Sequence, residues 1–245
     1  MVNDRLLLDI SAVTFDDFNT LRYGATEEDI MHPILRALKK SSVNVDEKDF
    51  LSGYFKADKA YRKSLQETFR ESLLDGIIRN VLLSLGCRSP RLDLKIRKAV
   101  NEGLATRKST WYSDAIPVLT ILRKRGYRLG LITNTHWRLL DETKKELNKY
   151  FDVITLSYEH GYAKPHPSIF LTTLNMLGIN AKNCLHVGDD PIADVKGAKK
   201  VGMKTAFVKR GKRKANANIQ IEQLSELTEL LQMVKTRKMV RHKDG

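Results

Sequence analysis

The chain has 245 residues, 42% of them hydrophobic and 29% charged, which is the composition of a globular protein rather than a disordered or fibrous one. Lysine and arginine exceed aspartate and glutamate by 43 to 29, and the resulting net charge of +14 favours anionic partners. No apolar run approaches the ~20 residues that cross a bilayer, and two cysteines exclude a disulfide framework. Because Met1 leads into no apolar signal segment, we expect a cytoplasmic protein with no membrane partner.

Short apolar runs alternate with amphipathic stretches at the start of the chain and again from residue 127 onwards. Each run has about four residues, is rich in β-branched or aromatic types, and is bounded by Asp, Asn or Gly. The runs cover residues 12–15, 129–132, 153–156, 184–187 and 205–208. Buried strands that alternate with helices are typical of a doubly wound parallel sheet, so the sequence predicts a Rossmann-like α/β core.

The segment between the first and second predicted strands has helical periodicity instead. Apolar residues recur at helical spacing from 30 to 38, and a longer apolar stripe runs from 69 to 85. No strand pattern interrupts them. The sequence therefore predicts an all-helical domain at residues 25–110.

The predicted α/β core is discontinuous as a result, and consists of residues 1–24 and 111–245. A last amphipathic helix is predicted around residues 224–234. The basic tail that follows is expected to fray after about Arg237.

Four short polar segments follow predicted strands, where an open α/β sheet binds its ligands. An aspartate with a hydroxyl four residues on is suited to act as a nucleophile, and threonine and asparagine donors are suited to bind an anion. A lysine in a proline-stiffened loop neutralises a developing oxyanion, and clustered carboxylates suit a hard cation such as Mg²⁺. Each pattern alone is also common in turns and helix caps. The residues are, in chain order, Asp16 and Thr20, Thr133 and Asn134, Lys164, and Asp189, Asp190 and Asp194.

Taken together and in this order, the four segments resemble the motifs of the haloacid dehalogenase-like (HAD) hydrolase superfamily. The most specific stretches are the Lys-Pro segment at 161–170 and the Gly-Asp-x-x-x-x-Asp segment at 186–202. The resemblance covers nearly the whole chain. It implies a Rossmann-like core with a helical cap inserted after the first motif, and the cap would set the choice of substrate.

The resemblance also implies a catalytic mechanism. Asp16 would be the nucleophile and would form an aspartyl-phosphate intermediate, while Lys164 and Thr133, with Asn134, would hold the phosphoryl oxygens. Attack by Asp16 followed by attack by water replaces one difficult step with two easier ones.

A Mg²⁺ cofactor is implied as well. Its ligands would be Asp16, the backbone carbonyl of Phe18 and Asp189, with Asp190 or Asp194 in support. A divalent cation offsets the repulsion between a carboxylate nucleophile and an anionic phosphate.

The first motif departs from the pattern of the superfamily's phosphatases. These enzymes usually carry a second Asp two residues after the nucleophile, followed by Gly; here the two positions are Phe18 and Asn19. Asp17 does not fit as the nucleophile, because Thr20 would then follow after three residues rather than four. The missing acid–base group typically contributes ~10²–10⁴ in rate.

Three functions follow from this departure. An aromatic residue at position 18 resembles the 2-haloacid dehalogenases, whose leaving halide needs no proton. Those enzymes have a Ser/Asn-containing fourth motif and no metal, whereas Asp189, Asp190 and Asp194 keep the acidic version. We therefore favour a Mg²⁺-dependent phosphohydrolase acting on a small phosphorylated metabolite. A dehalogenase-type hydrolase and a catalytically weakened binding or scaffold member are the alternatives.

Two further features are weighed more lightly. His136 follows the second motif and is a candidate substitute proton donor, since the pKa of histidine suits that role. Basic runs at 209–214 and 235–243 would favour nucleic acid as a partner, but no nucleic-acid-binding module accompanies them. A small anionic substrate is the favoured partner.

Overall fold

The computed structural model describes residues 7–24, 28–40, 46–68, 109–135 and 141–241, with isolated positions between 82 and 98. The backbone divides into two compact units: residues 1–23, 110–135 and 141–245 form the first, and residues 24–109 with 136–140 form the second. The apolar stripe predicted from Phe69 to Leu85 lies almost entirely outside the described residues, as does His136.

The first unit is built on a six-stranded, fully parallel sheet with the strand order β5-β4-β1-β6-β7-β8. Two further short strands, β2 and β3, pair with each other in an antiparallel fashion. The strands are β1 (Ala12–Phe15), β2 (Arg22–Tyr23), β3 (Thr110–Trp111), β4 (Arg128–Thr133), β5 (Val153–Leu156), β6 (Cys184–Gly188), β7 (Lys204–Val208) and β8 (Ile219–Ile221).

Strand β1 lies at the centre of the sheet because all four of its residues are apolar or small enough to be buried on both faces. Phe15 at its carboxyl end is opposite Leu131 of β4 and Val187 of β6. The chain continues from β4 to β5 on one side of β1 and from β6 to β8 on the other. The carboxyl end of β1 is therefore the topological switch point, where such sheets bind ligands.

Helices lie in both units, and those of the first unit connect or follow its strands. They are α1 (Glu28–Lys40), α2 (Glu47–Thr68), α3 (Ala115–Lys124), α4 (Asp141–Leu147), α5 (Ser157–His160), α6 (Pro167–Leu177), α7 (Gly197–Lys200) and α8 (Ser225–Arg241), with a 3₁₀ turn at Ala181–Asn183 and a π-helical turn at Pro191–Lys196. Phe170 and Leu174 of α6 share one core cluster with Ala12 of β1 and Ile132 of β4. Helix α3 packs against α8 and β4.

The second unit contains α1 and α2. Asp46 caps α2, because its carboxylate accepts the backbone N–H groups of Lys48 at 2.8 Å and Asp49 at 3.3 Å. The buried side chains include Ile34 and Leu38 of α1, Phe50 and Tyr54 of α2. Both long described segments of this unit, 28–40 and 47–68, are helical.

The structure confirms the predicted parallel α/β core, and each of the five predicted strands is present to within one residue at either end. Three strands were not predicted: β8 has only three residues, and β2 and β3 have two each, too few for a periodicity to be read. Helix α8 continues to Arg241, beyond Arg237, where fraying was expected. Among the described residues, no helix is both long and apolar enough to span a membrane.

Replacing Gly130 of β4 tests how closely α6 packs on the sheet. A Cβ atom at Gly130 would lie 2.9 Å from Cγ2 of Thr14 and 3.2 Å from Cδ1 of Leu177. Because both neighbours are buried, Gly130→Ala should lower the free energy of unfolding by about 1–3 kcal/mol, as overpacking does. Gly211→Ala, where a Cβ would meet no atom within 4 Å, should change it by less than about 1 kcal/mol. Urea denaturation of the two variants makes the comparison, and equal stabilities would contradict it.

Candidate active site

Asp16 lies at the switch point as the first residue after β1. Its backbone N–H donates to the carbonyl of Val187 at 2.9 Å, which extends the pairing with β6 by one residue. The carboxylate is buried and accepts the hydroxyl of Thr20 at 3.2 Å through Oδ2. The threonine four residues on therefore holds the carboxylate, as the sequence spacing suggested.

The turn after Asp16 is fixed by a buried ion pair. Arg22 donates from Nε to Oδ1 of Asp17 at 2.7 Å, and its Nη2 contacts the other carboxylate oxygen. The guanidinium lies 5.5 Å from the ring centroids of both Phe18 and Trp111. The carboxylate of Asp17 is thus committed to Arg22, which agrees with its rejection as a nucleophile.

Asn19 occupies the position where the phosphatases that the motifs resemble usually carry glycine. Its φ angle is +60°, in the left-handed region that glycine adopts freely and asparagine tolerates better than other residues. Its backbone N–H donates to the carbonyl of Arg22 at 2.7 Å and closes the turn. Asparagine therefore satisfies the backbone requirement that glycine usually meets.

Lys164 places a buried ammonium group next to Asp16. Its Nζ donates to Oδ1 of Asp16 at 2.6 Å, to Oδ1 of Asp194 at 2.7 Å and to the carbonyl of Ile132 at 2.7 Å. An ammonium group has three N–H donors, and here each has an acceptor. Lys164 thus connects the loops that follow β1, β5 and β6 with the end of β4.

Asn134 fixes the loop that carries Lys164. Its side-chain Nδ2 donates to the carbonyl of Lys164 at 3.0 Å, and its Oδ1 accepts the backbone N–H of the same residue at 2.8 Å. Thr133, the last residue of β4, is buried beside it. The Asn134 amide therefore contacts the protein, and the Thr133 hydroxyl and the backbone N–H groups remain the donors by which this segment would bind an anion.

Asp190 and Asp194 of the fourth segment have different surroundings. Asp190 caps the π-helical turn, since its Oδ1 accepts the N–H groups of Ile192 and Ala193, both at 2.8 Å, and its Oδ2 accepts Arg213 at 2.8 Å. Asp194 is buried inside the turn, and its Oδ2 accepts the N–H of Asp190 at 3.0 Å. Of the two, Asp194 is the one that contacts Lys164.

Three carboxylates converge at this point. One oxygen from each of Asp16, Asp189 and Asp194 lies within 4.8 Å of the others. Lys164 supplies one positive charge against three negative ones, so a divalent cation would balance the cluster. Carboxylate oxygens are the ligands that Mg²⁺ prefers, and the donor set therefore fits that ion.

The pKa values of the cluster are shifted first by burial and then by the neighbouring charges. Burial raises the pKa of Asp16 to about 8; Lys164 opposes the rise and Asp194 adds to it. Burial, together with Asp194, raises the pKa of Asp189 to about 6. Burial alone would raise the pKa of Asp194 too, but Lys164 and His186 outweigh it and hold that pKa below its ordinary value. The negative charge is therefore held most firmly at Asp194.

His186 is the site residue that the sequence analysis did not single out. Its Nε2 lies 3.2 Å from Oδ1 of Asp194, and its Nδ1 lies 2.9 Å from the hydroxyl of Thr14. Burial lowers the pKa of His186. Its position in β6, one residue away from the predicted strand end and on the face shared with Thr14, was the available signal, but the partner Asp194 could be identified only from the structure.

Comparison with known proteins agrees with this fold. A sequence model described as haloacid dehalogenase-like hydrolase matches residues 10–202. The chain belongs to this family of haloacid dehalogenase-like hydrolases.

The relatives include proteins named as phosphatases and a protein named as a dehalogenase. Glyceraldehyde 3-phosphate phosphatase of Pyrococcus abyssi is 37% identical over 133 residues, which make up 50% of this chain and 55% of the relative. The chain thus spans about half the length of that relative. The structure of a 2-haloacid dehalogenase from Pseudomonas syringae pv. Tomato DC3000 matches with a TM-score of 0.69 and 25% identity, covering 91% of this chain and 99% of that one. The structure of a HAD phosphatase from Thermococcus onnurineus matches with a TM-score of 0.54 and 25% identity, covering 91% of this chain and 98% of that one.

Removing Arg22 tests the ion pair beneath the site. Arg22→Met leaves the carboxylate of Asp17 buried without its partner, so the free energy of unfolding should fall by about 3–5 kcal/mol. Lys209→Met breaks an exposed ion pair with Glu222 and should cost at most about 1 kcal/mol. Guanidinium denaturation of both variants provides the measurement. A loss for Arg22→Met no larger than that of the control would contradict the assignment of a buried, structurally required pair.

Proposed function

We propose that this protein is a Mg²⁺-dependent phosphohydrolase that hydrolyses a small phosphorylated metabolite through an aspartyl-phosphate on Asp16. The observation that carries the proposal is the buried group of Asp16, Lys164 and Asp194, with Nζ–O distances of 2.6 and 2.7 Å, next to Asp189. The family and a relative named as a phosphatase support the same reaction class.

The residues that would hold Mg²⁺ are Asp16, Asp189 and Asp194, together with the backbone carbonyl of Phe18. When bound, the cation would neutralise charge on the carboxylate nucleophile and on the phosphoryl oxygens. The acidic cluster supports this requirement, because with all three carboxyl groups ionised its single ammonium group leaves two negative charges uncompensated.

The chain's own residues orient the nucleophile. Thr20 and Lys164 each bind one carboxylate oxygen of Asp16, at 3.2 and 2.6 Å, which restricts rotation of the side chain. An oxygen of Asp16 would form a bond to phosphorus while the bond to the leaving group breaks, and water would then release phosphate and regenerate the carboxylate. Lys164 and backbone N–H donors near Thr133 would stabilise the charge on the transferred group.

Phe18 determines which leaving groups depart readily. Its side chain has no proton to donate, so an alkoxide would leave unprotonated. A carboxylate or a phenolate is stable without a proton. We therefore propose that acyl and aryl phosphates are better substrates than alkyl phosphates. This preference would set the chain apart from the relative, whose named substrate, glyceraldehyde 3-phosphate, is an alkyl phosphate.

The second unit is proposed to act as the cap that selects the substrate, with its boundaries near residues 25 and 110. A cytoplasmic setting is proposed from the two-cysteine composition; Cys184, the one of the two that lies within the described residues, is a buried free thiol.

Hydrolysis of acetyl phosphate and p-nitrophenyl phosphate tests the proposal directly. Turnover should require Mg²⁺, and Asp16→Asn should reduce it by about 10³-fold or more, the scale of losing a nucleophile. Asp152→Asn is the matched control: it makes the same charge change at the amino end of the sheet, where Asp152 accepts the N–H of Leu129, and it should retain turnover.

Two results would count against the proposal. Absence of turnover on both substrates at high enzyme concentration would overturn it. Metal-independent release of halide from 2-haloacids, lost in Asp16→Asn, would establish the dehalogenase instead, the alternative that Phe18 and the Pseudomonas syringae structure favour.

Replacement of Phe18 tests the missing acid. Phe18→Asp should raise kcat/KM on alkyl phosphates by about 10²-fold or more, because a positioned acid–base group contributes on that scale, while acetyl phosphate should gain little. Phe18→Asn introduces a side chain of the same shape as aspartate but without its titratable proton. It therefore separates acid catalysis from the effect of simply removing the bulky phenyl ring. Equal gains on all substrates, or equal gains in the two variants, would show that the absent acid is not the cause.

A further inference from the structure

A buried chain of hydrogen bonds approaches Asp194 from the interior of the sheet. Thr14 of β1, His186 of β6 and Asp194 each have at most 1% of their surface exposed. The hydroxyl of Thr14 lies 2.9 Å from Nδ1 of His186, and Nε2 of His186 lies 3.2 Å from Oδ1 of Asp194. None of these three side chains can exchange its partner for bulk water.

The hydrogen bonds in this series all donate in the direction of Asp194. A carboxylate only accepts, so Nε2 of His186 carries the hydrogen that meets Asp194. Nδ1 is then free to accept the hydroxyl hydrogen of Thr14, whose oxygen in turn faces the thiol of Cys184 at 4.0 Å. The order is therefore Cys184 to Thr14 to His186 to Asp194, and it ends on the carboxylate.

Packing fixes the histidine ring in place. The ring of Phe170 meets that of His186 edge-on, with centroids 5.3 Å apart and an interplanar angle of 90°. A Cβ at Gly197 would lie 2.8 Å from the Phe170 ring, so this ring also packs directly against the backbone at the end of the π-helical turn. A Cβ at Gly188 would overlap the Asp194 carboxyl group. The Asp194 carboxylate is therefore packed directly against the backbone of Gly188.

We propose that Thr14 and His186 are positioning residues that orient the Asp194 carboxylate for cation binding. This inference rests on the function proposed above, since it assigns Asp194 to the Mg²⁺ site. Oδ1 of Asp194 accepts both Lys164 at 2.7 Å and His186 at 3.2 Å, while Oδ2 accepts the backbone N–H of Asp190 at 3.0 Å. His186 is thus one of three donors that fix the carboxylate plane, and Thr14 in turn holds the His186 ring.

Calorimetric titration of the full chain with MgCl₂ tests the proposal without relying on turnover. His186→Leu removes both ring nitrogens and should weaken Mg²⁺ binding by about 10–100-fold, as loss of a group that orients a ligand does. His186→Gln keeps an N–H donor and should restore most of the affinity. Thr14→Val should weaken binding by a smaller factor, and Thr14→Ser, which keeps the hydroxyl, should restore it.

Thr173 provides the matched control for the loss of a buried hydroxyl. It is fully buried, donates to the carbonyl of Ile169 and shares a hydrogen bond with the hydroxyl of Thr155, both at 2.8 Å, and its hydrogen bonds do not involve the carboxylates. Thr173→Val should lower the urea unfolding midpoint about as much as Thr14→Val does, yet leave Mg²⁺ affinity unchanged.

Turnover of acetyl phosphate by His186→Leu should recover as the concentration of MgCl₂ is raised.

The outcomes separate this inference from the proposed function. Folded Leu and Val variants that bind Mg²⁺ as tightly as the wild type would overturn the positioning role and leave the phosphohydrolase intact. A wild-type chain that binds Mg²⁺ but hydrolyses no phosphate would overturn the function, while weaker binding by the variants would still support the positioning role. A wild-type chain that binds no Mg²⁺ would overturn both.

Discussion

The buried contact of the Lys164 ammonium with Asp16 and Asp194 is the interaction on which the rest of the site depends. A buried charge without a partner costs several kcal/mol, so the loops after β1, β5 and β6 must all reach the same point for any of the three groups to be tolerated. The parallel sheet makes this feasible, because its carboxyl ends bring the three loops to one edge. Function and folding are therefore coupled through a single ammonium group.

The surrounding contacts can be understood as a consequence of that group. Asn134 holds the backbone of Lys164, the π-helical turn directs Asp194 inward, and the Asp17–Arg22 pair stabilises the turn that follows Asp16. Asp16, the proposed nucleophile, thus meets its partners in fixed positions, and little reorganisation would be needed when charge develops.

Much of the core could be predicted from sequence because it depends on local patterns. Four-residue apolar runs bounded by turn residues located five strands, and the order of polar segments located Asp16, Lys164 and the acidic loop. The contacts that were missed are long-range. The link between Thr14 and His186 joins residues 172 positions apart, and no periodicity encodes it. Asp190 and Asp194 are chemically identical in the sequence, and only the path of the turn separates the capping residue from the buried one.

The π-helical turn has a consequence for how this segment tolerates changes in length. The N–H of Val195 reaches back five residues to the carbonyl of Asp190, so the turn contains one residue more than an α-helix would. Deleting a residue between them would restore regular helical geometry and rotate Asp194 by about 100° around the axis. Substitution on the outer face, where Ile192 is exposed, leaves the rotation intact. Insertions and deletions are therefore far more damaging here than replacements, and homologues that differ in loop length at this point should also differ in which carboxylate faces the residue equivalent to Asp16.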